Sequence, residues 1–167
     1  MISDKMQQAL NEQINAELFS AYQYLAMSAY LESKNLPGMA SWMRLQGQEE
    51  MAHAMKIYDY IHEVGGDVAL AAIDKPDAEY GSALETFEEG LAHEKKVTAM
   101  IHKLYALATE EKDYPTQLML QWFIDEQVEE ESSFGLVVEQ FKMAGDSPIA
   151  LLTLDGRLGA RQPEAAE

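Results

Sequence analysis

Residues 48–53 read Gln-Glu-Glu-Met-Ala-His, QEEMAH, inside a long segment whose apolar residues recur at intervals of three and four. That period predicts a helix from about Met39 to Val64, stopped by Gly65-Gly66. At about 100° per residue, Met39, Met43, Gln46, Ala54, Ile57 and Ile61 lie within about 40° of Glu50, and His53 sits at the edge of the same stripe. A glutamate and a histidine one turn apart therefore point toward an apolar interior. The rest of the chain has to explain them.

The same period runs through three more long segments, and strand signals are scarce. A first helix is expected from about Ser3, its N-cap, to about Ser33, ended by Asn35-Leu36-Pro37-Gly38. A third spans about Ser82 to Glu111, and after Lys112-Asp113-Tyr114-Pro115 a fourth runs to about Ala144, before Gly145-Asp146. Residues 65–81, GGDVALAAIDKPDAEYG, are mixed in character and long enough to return along the length of the helices. Rods of matched length, roughly 40 Å at about 1.5 Å per residue, with one long connection predict an all-α four-helix bundle with a single crossover.

Ser147-Pro148 marks the start of a short fifth helix carrying Ile149, Leu151, Leu152, Leu154 and Leu158. So much aliphatic surface needs a partner, either the helix's own bundle or another subunit. The organisation is one domain over 1–167: the bundle over about 3–144, the short helix over about 147–158 and a frayed tail over 159–167.

On the first helix Glu17 shares its face with Met6, Leu10, Ala21, Tyr24 and Leu31. On the third, Glu94 lies among Phe87, Thr98, Ile101 and Tyr105; on the fourth, Gln127 lies among Leu120, Phe123, Phe134 and Val138, with Glu130 one turn further on. All sit near mid-length, so in an alternating bundle they meet at one depth. Four carboxylates gathered in low dielectric, Glu17, Glu50, Glu94 and Glu130, cost several kcal/mol per ion unless neutralised. Protons could do it, and so could basic partners, but the stripes show no inward Lys or Arg. Two divalent cations balance four carboxylates and leave His53 as a neutral nitrogen donor. Glu50 and His53 can then grip one metal together.

Composition agrees. Lys and Arg total 12 against 29 Asp and Glu, a net charge of −17 that repels nucleic-acid phosphate and anionic membrane and attracts cations. With no cysteine, thiolate sites, iron–sulfur clusters and disulfides are excluded, so ligands must be carboxylate, imidazole or carbonyl. The N-terminal MISDKMQQALNEQ lacks the apolar core of a secretory signal, and no stretch approaches the roughly 18 apolar residues of a membrane helix. A cytoplasmic location is expected.

Glu17 with Tyr24, EEMAH at 49–53, Glu94 in LAHEKK and DEQVEEE at 125–131 closely resemble the non-haem bacterial ferritins of the ferritin-like di-iron carboxylate superfamily. The resemblance covers essentially the whole chain. It implies a first iron held by Glu17, Glu50 and His53, and a second held by Glu50, Glu94 and Glu130 with Glu50 bridging. Glu49, Glu126 and Glu129, sharing Glu130, match a flanking third site. Where the wider superfamily often repeats Glu-x-x-His on the fourth helix, this chain has Gln127 and Glu130. Tyr24 is implied to support a ligand or take part in redox, Met51 is read as a packing residue, and Trp122 receives no catalytic role.

The implied function is iron storage with ferroxidase activity: Fe(II) is oxidised by dioxygen or hydrogen peroxide and kept as ferric mineral inside a homo-oligomeric cage of twenty-four subunits. No nucleic acid and no membrane is expected as partner. The rivals are a haem-containing bacterioferritin and a structural or DNA-protecting bundle without redox turnover.

Overall fold

The computed structural model describes residues 2–163, and all their regular secondary structure is helical. Helix α1 spans Asp4–Ser33 and is capped by Ser3, whose Oγ accepts from Met6 N at 3.0 Å. Helix α2 spans Pro37–Glu63. It starts two residues before the sequence expectation because Pro37 fits the first helical position, where its missing N–H costs nothing. Asn35, at φ 60°, makes the reversal between the two.

Helix α3 spans Ala83–Glu110 under a Ser82 cap, and α4 spans Tyr114–Ala144 under an Asp113 cap. Gly145, at φ 54°, stops α4. Helix α5 spans Pro148–Leu158, with Ser147 Oγ accepting from Ala150 N.

Helix α1 packs along α2, and α3 along α4. Residues 64–82 cross from one pair to the other along α1. At one end Asp67 N donates to Gln7 Oε1 at 2.8 Å, and Asn11 bonds the backbone of Asp67 and Ala69. At the other end Tyr80 is bonded to Gln23 and stacks edge-on to Tyr30. The connection therefore traverses the bundle.

The apolar interior is in two parts. One gathers Tyr24, Met27, Leu31, Met39, Trp42, Met43, Phe87 and Phe134; the other gathers Met6, Leu10, Ile57, Ile61, Ile101 and Phe123. Truncating a wholly buried side chain such as Leu10 or Leu31 to alanine costs about 2 to 5 kcal/mol. Between the two parts lies a layer of buried polar residues from all four long helices: Gln13, Glu17, Gln46, Glu50, His53, Glu94, Gln127 and Glu130. Packing on both sides holds that layer at one depth.

Helix α5 packs back on its own bundle through Leu154 and Leu158, while Ile149 and Leu152 remain exposed. The buried Asp155 Oδ1 accepts from Met39 N at 2.8 Å, satisfying a donor at the start of α2. A Cβ on Gly38 would fall 1.9 Å from Asp155 O, so only glycine permits this approach.

Two expectations are corrected. Met51 is 46 % exposed and does not pack inside the bundle, because it lies outside the arc of α2 that faces α1 and α4. The tail is not frayed from residue 159: Arg161 is held by hydrogen bonds and by the Trp42 ring, while residues 164–167 lie outside the described residues. No helix among the described residues is long and apolar enough to cross a membrane.

Candidate metal centre

Helical period alone turns Glu17, Glu50, His53, Glu94, Gln127 and Glu130 inward, and all are buried. Their contacts divide them into distinct groups. Glu17, Glu50 and His53 each offer a ligand atom, and these lie within 4.8 Å of one another. His53 Nδ1 stands 3.5 Å from Glu50 Oε2. Glu17 Oε1 accepts from Gln13 Nε2 at 2.8 Å, but among the described residues no amide, hydroxyl or backbone donor reaches Glu17 Oε2 or either oxygen of Glu50, and the two carboxyls can bond each other only when one carries a proton. Buried carboxylate oxygens without donors are costly, so this group suits a cation.

Glu94 is held differently. Tyr24 Oη donates to its Oε1, and Gln127 Nε2 donates to its Oε2 at 3.0 Å. Glu130 Oε2 accepts from Gln46 Nε2. Each of these carboxylates is thus oriented by an amide or a phenol while keeping lone pairs for another partner.

His53 also faces outward from the first group. Its Nε2 lies 3.8 Å from Glu126 Oε1, and His53, Glu126 and Glu130 form a second set of ligand atoms within 4.8 Å of one another. Trp122 meets the His53 ring edge-on at 5.4 Å. Glu49, Glu126 and the exposed Glu129 line an open cavity beside this set. Glu129 belongs to neither close group.

Burial and mutual repulsion set the protonation. Desolvation pushes the Glu50 carboxyl well above the usual range, reinforced by the charges of Glu94, Glu17 and Glu130. Burial likewise raises Glu17 and Glu130, the latter also through Glu94 and Glu49. Glu94 is raised to about 7 by burial, against the lowering hydrogen bonds from Tyr24 and Gln127. His53 is lowered to about 4 by burial and by Lys56, so its imidazole is neutral at pH 7. Burial and mutual repulsion thus favour the protonated form of each of these four carboxyls over its ordinary balance.

Sequence reasoning missed several contributors. Gln13 precedes the buried Glu17 by four residues and bonds it, a spacing that was readable, whereas Gln46, already placed on the stripe of Glu50, bonds Glu130 across the bundle, which spacing could not show. Arg161 was not: no inward Lys or Arg appeared on the helical stripes, yet this residue follows α5 and reaches Glu49 Oε2 at 2.6 Å. It comes from outside the periodic segments. His93 lies against the Tyr24 ring at 5.8 Å, with Nε2 2.7 Å from Ser20 Oγ.

Comparison with known proteins agrees with this architecture. Residues 7–144 match the ferritin-like domain family, "Ferritin". The chain is 40% identical over 167 residues, all of both proteins, to a bacterial non-heme ferritin of Staphylococcus saprophyticus. It is 42% identical over 161 residues, 96% of the chain and 97% of its relative, to that of Staphylococcus epidermidis. It superposes on the open-pore ferritin of the archaeon Archaeoglobus fulgidus with a TM-score of 0.96 at 49% identity, covering 97% of this chain and 99% of that one. A buried carboxylate layer in a four-helix bundle with one crossover, in a chain matched end to end by these relatives, has one reading: the chain belongs to the ferritin family.

Proposed function

We propose that the chain is a cytoplasmic iron-storage subunit with ferroxidase activity, oxidising Fe(II) at the polar layer. The observation that carries this reading is the set of unpartnered buried oxygens on Glu17 and Glu50 facing the neutral His53 imidazole. The first Fe(II) is taken by Glu17, Glu50 and His53, and the second by Glu50, Glu94 and Glu130, with Glu50 shared between them. Tyr24 and Gln127 orient Glu94, and Gln46 orients Glu130.

Each Fe(II) gives up one electron. Two electrons and two protons convert dioxygen to hydrogen peroxide; with hydrogen peroxide as oxidant they yield two waters. A carboxylate between the two ions tolerates the rise in charge, and Glu50, which no amide or hydroxyl holds, is free to shift as spacing changes. Glu49, Glu126 and Glu129, with Glu130 shared, are assigned to a third, flanking cation. The ferric product is stored as mineral inside a cage of twenty-four copies, whose contacts would cover the exposed Ile149 and Leu152 of α5.

The test is air oxidation of Fe(II) followed by ferric absorbance. The expected result is strong acceleration over buffer, lost in Glu50→Ala. No acceleration, or full activity in that variant, overturns the reading. A Soret band on the purified protein would instead favour the haem-containing alternative.

A further inference from the structure

Arg161, just past α5, brings a guanidinium to the polar layer. Arg161 Nη1 donates to Gln46 Oε1 at 2.8 Å, and Nη2 reaches Glu49 Oε2 at 2.6 Å. Its central carbon lies 4.6 Å from the Trp42 ring. The other end of the Gln46 amide donates to Glu130. One cation therefore touches Glu49 directly and Glu130 through an intervening amide.

The path of the chain makes this placement specific. Asp155 pins α5 to Met39 N at the start of α2, and Gly159 lies so close to Gly38 that a Cβ there would stand 2.8 Å from Gly38 Cα. Two residues later the backbone delivers Arg161 beside Trp42, Gln46 and Glu49, which follow one another along α2. The side chains of Arg161 and Glu49 are only 21% and 13% exposed, so solvent screens the pair incompletely. The planar guanidinium suits this duty, with two parallel donors and a face for the indole.

We propose that Arg161 is a tethered cation that occupies Glu49 in place of a flanking metal ion. This inference rests on the dinuclear reading above. A divalent ion binding to Glu49 draws on the same carboxylate, whose Oε2 the guanidinium already holds, and is repelled by the fixed positive charge. The flanking position then fills after the two inner ones, and only as the guanidinium withdraws. While docked, Arg161 is also a positioning residue, holding Gln46 so that its amide faces Glu130.

Zinc titration of the metal-free, assembled protein tests this without redox chemistry. Calorimetry should resolve two tight binding events per subunit and a weaker third one. Arg161→Gln is expected to tighten the third event about tenfold and to leave the first within about threefold. Arg161→Lys, which keeps the charge but loses the two-donor fork and the face on Trp42, should tighten the third event clearly less than Arg161→Gln does. Adding Glu49→Gln to Arg161→Gln should abolish the gain, and anomalous zinc density in crystals of Arg161→Gln should appear beside Glu49.

A third event unchanged or weakened in Arg161→Gln would overturn the proposal, since the arginine would then only anchor the tail. Equal gains in the Lys and Gln variants would overturn it too, by removing charge as the cause. Absence of the two early events in the unsubstituted protein is a different outcome: it sinks the dinuclear reading, and this inference with it.

Discussion

Glu50 and His53 stand one turn apart on α2, with Nδ1 of the imidazole 3.5 Å from Oε2 of the carboxylate, yet no amide, hydroxyl or backbone donor among the described residues reaches either Glu50 oxygen. The carboxylate is raised well above its ordinary range by burial and by Glu94, Glu17 and Glu130, and the imidazole is lowered to about 4. Burial therefore disfavours the charged form of both groups. Under the proposed function a cation would take the place of the Glu50 proton, while the imidazole already offers a free nitrogen.

Glu50→Gln should for that reason stabilise the metal-free protein, by about 1 to 3 kcal/mol, because an amide needs no proton to be buried. The gain from added zinc should shrink in the same variant. Thermal melting with and without zinc checks both. A Glu50→Gln protein that melts lower than the parent in chelator would contradict this account of the site.

Tyr24→Phe keeps the ring that stacks on Phe134 at 5.5 Å but removes the donor to Glu94. The Glu94 carboxyl should rise above its value of about 7, since the Tyr24 hydrogen bond lowers it. Losing one hydrogen bond to a buried carboxylate is worth about 1.5 to 3 kcal/mol, so the second inner cation should bind at least about tenfold more weakly at pH 7. Calorimetry reads this directly, and an unchanged second event would reduce Tyr24 to core filler.

Metal affinity should rise with pH. Glu94 must lose a proton near pH 7, and the raised Glu17, Glu50 and Glu130 must lose theirs, whereas His53 is already neutral above about 4. Zinc binding between pH 6 and 8 is expected to release protons, about one or more per ion, visible as a dependence of the binding heat on buffer ionisation enthalpy. Binding that weakens with rising pH would be the wrong sign.

The linkage runs the other way for the folded metal-free chain. A carboxyl raised from 4.5 to about 7 contributes stability that is full below 4.5 and is lost as pH climbs through 7. Chelated protein should thus be less stable at pH 8 than at pH 6 on account of Glu94, and excess zinc should cancel the difference. Denaturant melts at the two pH values measure it.

Gly90 lets α3 approach α4. A Cβ there would lie 2.3 Å from Phe134 Cε1, and that ring is wedged among Tyr24, Trp42 and Phe87 and cannot yield freely. Gly90→Ala should cost about 1 to 3 kcal/mol in spite of alanine's better helix propensity. Through Tyr24 it should also disturb Glu94, so the second zinc event is expected to weaken along with the melting temperature.

The sequence by itself determined the helices and the polar layer. Serines at 3, 82 and 147, Asp113 and Gly145 act on their immediate neighbours, so those helix ends need no tertiary information, whereas the start of α2, set locally by Pro37, also takes a bond from Asp155 of α5. A period of 3.6 residues then turns Glu17, Glu50, Glu94 and Glu130 to the apolar side whatever the partners are. Which oxygens lack a fixed donor was decided only by the packing, because that depends on distances between helices: Tyr24 and Gln127 claim Glu94, Gln46 claims Glu130, and no amide or hydroxyl claims Glu50. The second face of His53, toward Glu126 and Trp122, arises in the same way. Arg161 was the least legible of all. It lies beyond the last helix, where no periodicity assigns direction, and it reaches Glu49 only because Asp155 and the Gly38–Gly159 approach fix where the chain leaves α5.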